Sequence, residues 1–207
     1  MNIIFFGTSE FAVPSLLAIA KSKHKISLVV TRPDKKAGRG MHLALSPVKI
    51  EAGYLGLEIH QPQELSSPES IKLLKTKKCD LFVVISYGKI LPPEILNIRT
   101  KYCIYMHASL LPKYRGPSPV QYAILEGEER TGVSIMLMDE EVDHGPVLLK
   151  RELPKPVSQF TCESLKAELA QFGGDLLLGA IPLWLEGKIK AEPQDHAKAT
   201  FTKKIGK

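Results

Sequence analysis

The feature that most constrains the fold is a run of six residues, Leu81-Phe82-Val83-Val84-Ile85-Ser86, with five apolar side chains in succession. A strand without a polar face is one buried on both sides, the setting of a parallel sheet. Residues 2–6 and 26–31 read the same way. Between them a helix opened by Pro14 spans 14–21, and an amphipathic helix over 66–77 precedes Leu81. Strands separated by helices at this spacing predict an α/β fold: a Rossmann-like, open, mostly parallel twisted sheet with right-handed crossovers and helices on both faces. A further apolar run at 103–106 ends where a loop begins at His107, and a helix over 119–126 follows. Residues 132–138 and 147–153 have no helix between them and predict an antiparallel hairpin, and a long helix over 161–185 comes next. The tail beyond Pro193 is poor in apolar residues. The expectation is one domain over 1–190 and a linker over 191–207.

Composition removes several classes. With 44% hydrophobic and 24% charged residues, the chain is neither disordered nor fibrous. At this length about 70% of the unfolded surface is buried, so disulfides are not needed. Cys79, Cys103 and Cys162 are scattered and odd in number, which fits thiols in a reducing compartment. Met1 leads directly into a strand-like run, and no apolar stretch is long enough to span a bilayer. A cytoplasmic protein without membrane attachment is expected. The net charge of +6 supports polyanion binding only weakly. Its clusters, Arg32, Lys35, Lys36 and Arg39 and then Lys198, Lys203, Lys204 and Lys207, are of a kind more often solvated than bound to nucleic acid.

In an open parallel sheet, ligands bind where loops leave the carboxyl ends of the strands. Four loops matter here: 7–13, 32–46, 87–92 and 107–117. Gly7 starts no dinucleotide fingerprint, because GTSEFA lacks the further glycines, and AGRGMH is no phosphate loop. The six histidines show no metal-ligand spacing, so no metal is expected. The segment that remains is CIYMHASLLPKYRGPSPVQ, 103–121. A lone histidine such as His107 at a strand end is more often structural than catalytic, and Ser109 to Gly116 form a loop whose Pro and Gly set its turns. Asp143, two residues before Gly145 in an acidic stretch, belongs to a solvated turn or holds a histidine of another loop. Spacing leaves both readings open.

The motifs H-x-S-L-L-P-x-x-R-G at 107–116, TGVSIMLM at 131–138 and D-x-G at 143–145 are similar, in order, to the folate-dependent formyltransferase family. The opening MNIIFFGTSEFAVPSL, the TRPDKKAGRG loop, SPVK at 46–49 and SYGKILP at 86–92 narrow the resemblance to the branch that formylates initiator methionyl-tRNA. The likeness runs to about Ile205. It implies formyl transfer from 10-formyl-tetrahydrofolate to an amine, by attack on the formyl carbon through a tetrahedral intermediate. It also implies that His107 handles the proton and helps stabilise the oxyanion, with Asp143 orienting it and favouring the charged imidazole. Ser109, Leu110, Leu111 and Pro112 would line the folate site. Backbone around Tyr87, Gly88, Ile90 and Leu91, and around Met138, Asp139 and Glu141, would hold the pteridine. Phe11, Lys35, Arg39, Gly40 and Arg115 would face the tRNA. Small-amine relatives, acting on glycinamide ribonucleotide or a sugar nucleotide, share His, SLLP and Asp but usually lack the GTSEFA opening together with the long basic loop.

Two departures stand out. The family has an asparagine two residues before the histidine, and here that residue is Tyr105. Losing one oxyanion donor costs about 2.7–4 kcal/mol, although a tyrosine hydroxyl can also donate. The readings are a working variant that uses Tyr105, an impaired folate- or RNA-binding relative, or an altered sequence. Family members also continue into a C-terminal β-barrel beyond the position of Lys207. Weak, strongly salt-dependent binding of tRNA is therefore expected, since fewer phosphate contacts remain, and the protein is expected to be a monomer.

Overall fold

The computed structural model describes residues 1–37, 42–98 and 103–205. The chain divides into two compact units, Met1–Cys103 and Ile104–Lys207, a boundary that the sequence reading does not draw.

The first unit runs β1 (Asn2–Gly7), α1 (Val13–Ala20), β2 (Lys25–Val30), β3 (Lys35–Ala37), β4 (His42–Ala44), α2 (Pro47–Tyr54), β5 (Ile59–His60), α3 (Pro68–Thr76), β6 (Leu81–Ile85) and α4 (Pro93–Leu96). Its main sheet has the order β5-β2-β1-β6, and every pairing is parallel. Ile3 to Phe6, Leu28 to Val30 and Leu81 to Ile85 have almost no solvent exposure, which is why these strands carry no polar face. The helices start where the sequence places breakers. Pro lies in the first turn of α1, and Ser67 caps α3 by accepting from the Ser70 N–H. Ser46 caps α2 in the same way, a helix not anticipated within the stretch after the basic loop. That loop contains a short antiparallel hairpin, β3 with β4.

The second unit carries β7 (Cys103–His107), α5 (Pro119–Leu125), β8 (Gly132–Leu137), β9 (Val147–Glu152) and α6 (Cys162–Leu185). β7, β8 and β9 pair antiparallel in that order, so the expected hairpin is present. Thr161 and Ser164 form a reciprocal capping box at the start of α6. Leu165, Leu169, Leu177, Ala180 and Ile181 bury one face of that helix. The tail, read from the sequence as a linker, docks on this unit. Glu192 bridges to Val147 and Phe201 to Arg115, while Gln194 and Thr202 are buried. Its attachment is polar, so apolar periodicity gives no sign of it. No helix among the described residues is long and apolar enough to cross a membrane.

Candidate active site

His107 is the last residue of β7, opposite Ser134 of β8, and is 2% exposed. Its Nε2 lies 2.8 Å from the carbonyl oxygen of Tyr114. A carbonyl only accepts, so Nε2 carries the hydrogen. The other ring nitrogen, Nδ1, lies 3.5 Å from Asp143 Oδ1, beyond an ordinary hydrogen bond. The second carboxylate oxygen of Asp143 accepts from the Gly116 N–H at 2.7 Å. His107 and Asp143 therefore meet, although 36 positions separate them in the sequence.

Local geometry explains the residues around the pair. Asp143 has φ +51° and Tyr114 φ +60°, both in the left-handed region that non-glycine residues rarely occupy. Tyr114 turns its carbonyl to His107, its N–H to Thr200 Oγ1 at 2.8 Å and its hydroxyl to Glu128 at 2.6 Å. Gly116 sits at φ +107°, and a Cβ there would come 2.7 Å from the Thr202 carbonyl oxygen. At Gly145 a Cβ would stand 2.0 Å from the Leu137 carbonyl oxygen, so the last position of D-x-G admits only glycine.

Tyr105 lies on the same face of β7 as His107, two residues earlier, with the ring centroids 6.1 Å apart. Burial and then the Asp143 carboxylate push its hydroxyl well above the ordinary tyrosine value, so it stays a neutral donor.

The 109–112 loop is anchored from inside. Ser134 Oγ donates to the Ser109 carbonyl at 2.7 Å and accepts from the Leu111 N–H at 3.0 Å, while Ser109 Oγ donates to the Lys113 carbonyl at 2.6 Å. Lys150 Nζ donates to the Leu111 carbonyl at 3.1 Å. Leu111 is buried and joined to Pro112 by a cis peptide bond, while Leu110 and Pro112 are half-buried. In the 138–145 loop, Met138 is half-buried and Glu141 exposed. Asp139 accepts from the Glu141 N–H and lies 2.7 Å from His144 Nδ1.

Arg115 differs from expectation. It is 3% exposed, and its guanidinium is held by Gln194 Oε1 (3.2 and 2.7 Å) and His196 Nδ1 (2.9 Å), so it is not presented to an acceptor. The docked tail supplies its partners.

In the first unit, Phe11 also departs from expectation. It is 8% exposed in a 3-10 turn and packs into the core. Tyr87 is 1% exposed, its hydroxyl has no hydrogen-bond partner among the described residues, and burial pushes that group up to about 12. Gly88 has φ +78°, Leu91 is buried, and Ile90 is 74% exposed. Lys35 is exposed on β3, whereas Arg39 and Gly40 lie outside the described residues. Sequence reasoning missed Ser134, Thr200 and Gln194. Ser134, a polar residue inside an apolar strand, was the one available signal.

Residues 1–181 match the family model described as formyl transferase. The chain is 45% identical over 193 residues to a methionyl-tRNA formyltransferase of Thermodesulfovibrio yellowstonii, covering 93% of this chain and 62% of that relative, so it spans less than two thirds of the relative's length. The fold is similar to that of phosphoribosylglycinamide formyltransferase from Anaplasma phagocytophilum, with TM-score 0.76, 20% identity and coverage of 98% and 99% of the two chains. It is similar also to an N-formyltransferase from Helicobacter canadensis in complex with folinic acid and dTDP-3-aminofucose, with TM-score 0.73, 20% identity and coverage of 97% and 70%. With the His107–Asp143 pair carried by this Rossmann-like fold, and with a family match over most of its length, the chain belongs to the formyl transferase family.

Proposed function

We propose that this protein transfers a formyl group from 10-formyl-tetrahydrofolate to the amino group of initiator methionyl-tRNA, in the cytoplasm. The observation that carries the reading is the buried His107 facing Asp143, with a neutral phenol beside it. The name of the 45% identical relative supports the acceptor, and the folinic acid bound by the Helicobacter canadensis enzyme supports a folate donor.

The chemistry needs three services. The acceptor nitrogen attacks the formyl carbon on N10 of the donor, and negative charge develops on the formyl oxygen. The intermediate then collapses with cleavage of the bond to N10, the attacking nitrogen having lost a proton and N10 having gained one. His107 moves the proton and Asp143 holds the ring against the charge it acquires. Tyr105 donates its hydroxyl hydrogen toward the oxyanion, the service the family's asparagine amide performs. Within the second unit, Ser109 to Pro112 and the backbone at Met138, Asp139 and Glu141 contact the donor.

A formyl-transfer assay with 10-formyl-tetrahydrofolate and methionyl-tRNA tests this, comparing the unaltered chain with Tyr105→Phe and Tyr105→Asn. Turnover is expected from the unaltered chain, a fall of roughly 10²–10³ in kcat for Tyr105→Phe, and substantial activity for Tyr105→Asn. Turnover confined to small amines would reject the tRNA acceptor. An undiminished Tyr105→Phe would remove the hydroxyl from the mechanism.

A further inference from the structure

We propose that Gln194, in the tail, is a positioning residue for the His107–Asp143 pair. The inference rests on the formyl-transfer reading for its activity readout and on geometry for the rest. The Gln194 side chain is buried at 7% exposure, and every hydrogen-bonding position on its amide is used. Oε1 accepts from Arg115 Nε at 3.2 Å and from Nη2 at 2.7 Å. Nε2 donates to the carbonyl of Asp143 at 2.9 Å and to that of Gly145 at 2.7 Å. The orientation of the amide is unambiguous, because guanidinium nitrogens only donate and carbonyls only accept.

What the amide joins gives the contact its consequence. Arg115 lies between the two residues that touch the pair from one side. The Tyr114 carbonyl takes the His107 Nε2 hydrogen, and the Gly116 N–H goes to Asp143 Oδ2. Asp143 and Gly145 belong to the opposite loop. One side chain thus fastens the segment that orients His107 to the backbone that presents the carboxylate. Asp143 needs such a hold, since a non-glycine residue at φ +51° persists only when its surroundings impose the conformation. Without the two N–H donors the 143–145 backbone is free to relax, and the 3.5 Å approach of Oδ1 to His107 Nδ1 is lost.

Two substitutions in the full chain separate this role from simple attachment of the tail. Gln194→Glu keeps oxygen acceptors for Arg115, so the tail stays docked, but it lacks the donors to Asp143 and Gly145. Gln194→Ala lacks both. Each is measured in the formyl-transfer assay and by ¹⁵N NMR of the histidine rings, with circular dichroism at the assay temperature to establish folding. In the unaltered chain the His107 ring is expected to show its hydrogen on Nε2. In folded Gln194→Glu, kcat is expected to fall roughly 10²-fold with little change in donor KM, and the His107 ring resonances to shift. If Gln194→Ala does not fold, Gln194→Glu decides alone. Unchanged His107 resonances in a folded variant, with or without loss of turnover, would overturn the proposal. An unaltered chain that turns over neither methionyl-tRNA nor a small amine would reject the formyl-transfer reading instead, and the NMR comparison would still test Gln194.

Discussion

Glu128 has no place in the reaction, yet it stands directly behind the residue that orients His107. Its carboxylate accepts from Lys113 Nζ at 2.8 Å and from the Tyr114 hydroxyl at 2.6 Å. Those two hydrogen bonds, the Lys113 contact foremost, hold its carboxyl below the usual glutamate range. The stabilisation is therefore complete above the ordinary glutamate value and is lost as pH falls through the lower folded value. Glu128→Gln keeps an acceptor for Tyr114 but removes the charge that Lys113 pairs with. In urea titrations it should cost about 0.2–1 kcal/mol near neutral pH, and the difference should close in strong acid. A gap of the same size at both ends of the range would assign the effect to packing. Tyr105 shows how far single residues were legible: its identity raised the question of an oxyanion donor, whereas its protonation follows only from burial and the nearby carboxylate.

Among the elements, the β8–β9 hairpin does most to build the site, since its connecting loop delivers Asp143. Gly145 returns the chain to β9 against the Leu137 carbonyl, where a methyl group has no room. Gly145→Ala should destabilise the protein by about 1–3 kcal/mol in thermal unfolding and reduce formyl transfer beyond what the stability loss explains. A variant as stable as the parent would mean that the loop tolerates the shift. The long and strongly patterned elements could be read in advance: the buried runs of β1, β2 and β6, and the long helix α6. β3 and β4 are too short for a period to emerge, and α2 buries only Val48 and Ala52, too few apolar positions to mark a face. The docked tail escaped for a different reason, because Gln194, Thr200 and Thr202 attach it through hydrogen bonds that leave no hydrophobic pattern. The same polar attachment buries Arg115, which the family resemblance had facing the tRNA.

At the scale of the whole molecule, a net charge of +6 bears on the proposed acceptor. Binding to tRNA should weaken steeply with salt, the logarithm of affinity falling by about 0.7–0.9 per phosphate contact for each tenfold rise in salt. Fluorescence anisotropy across a salt series measures that slope, and a flat dependence would exclude phosphate contacts as a main source of affinity. A second property follows from the distance along the chain at which the site is braced. Arg115 and Gln194 are 79 residues apart, and Ser118 meets Thr202 across 84. Closing loops of that size costs more entropy than pairing neighbouring strands, and contacts so remote in sequence slow folding. During synthesis the parallel strands of the first unit can pair long before residues 194–202 have left the ribosome. A nascent chain would thus hold a largely folded first unit with an unbraced active site, and would become competent only after residues 194–202 had emerged.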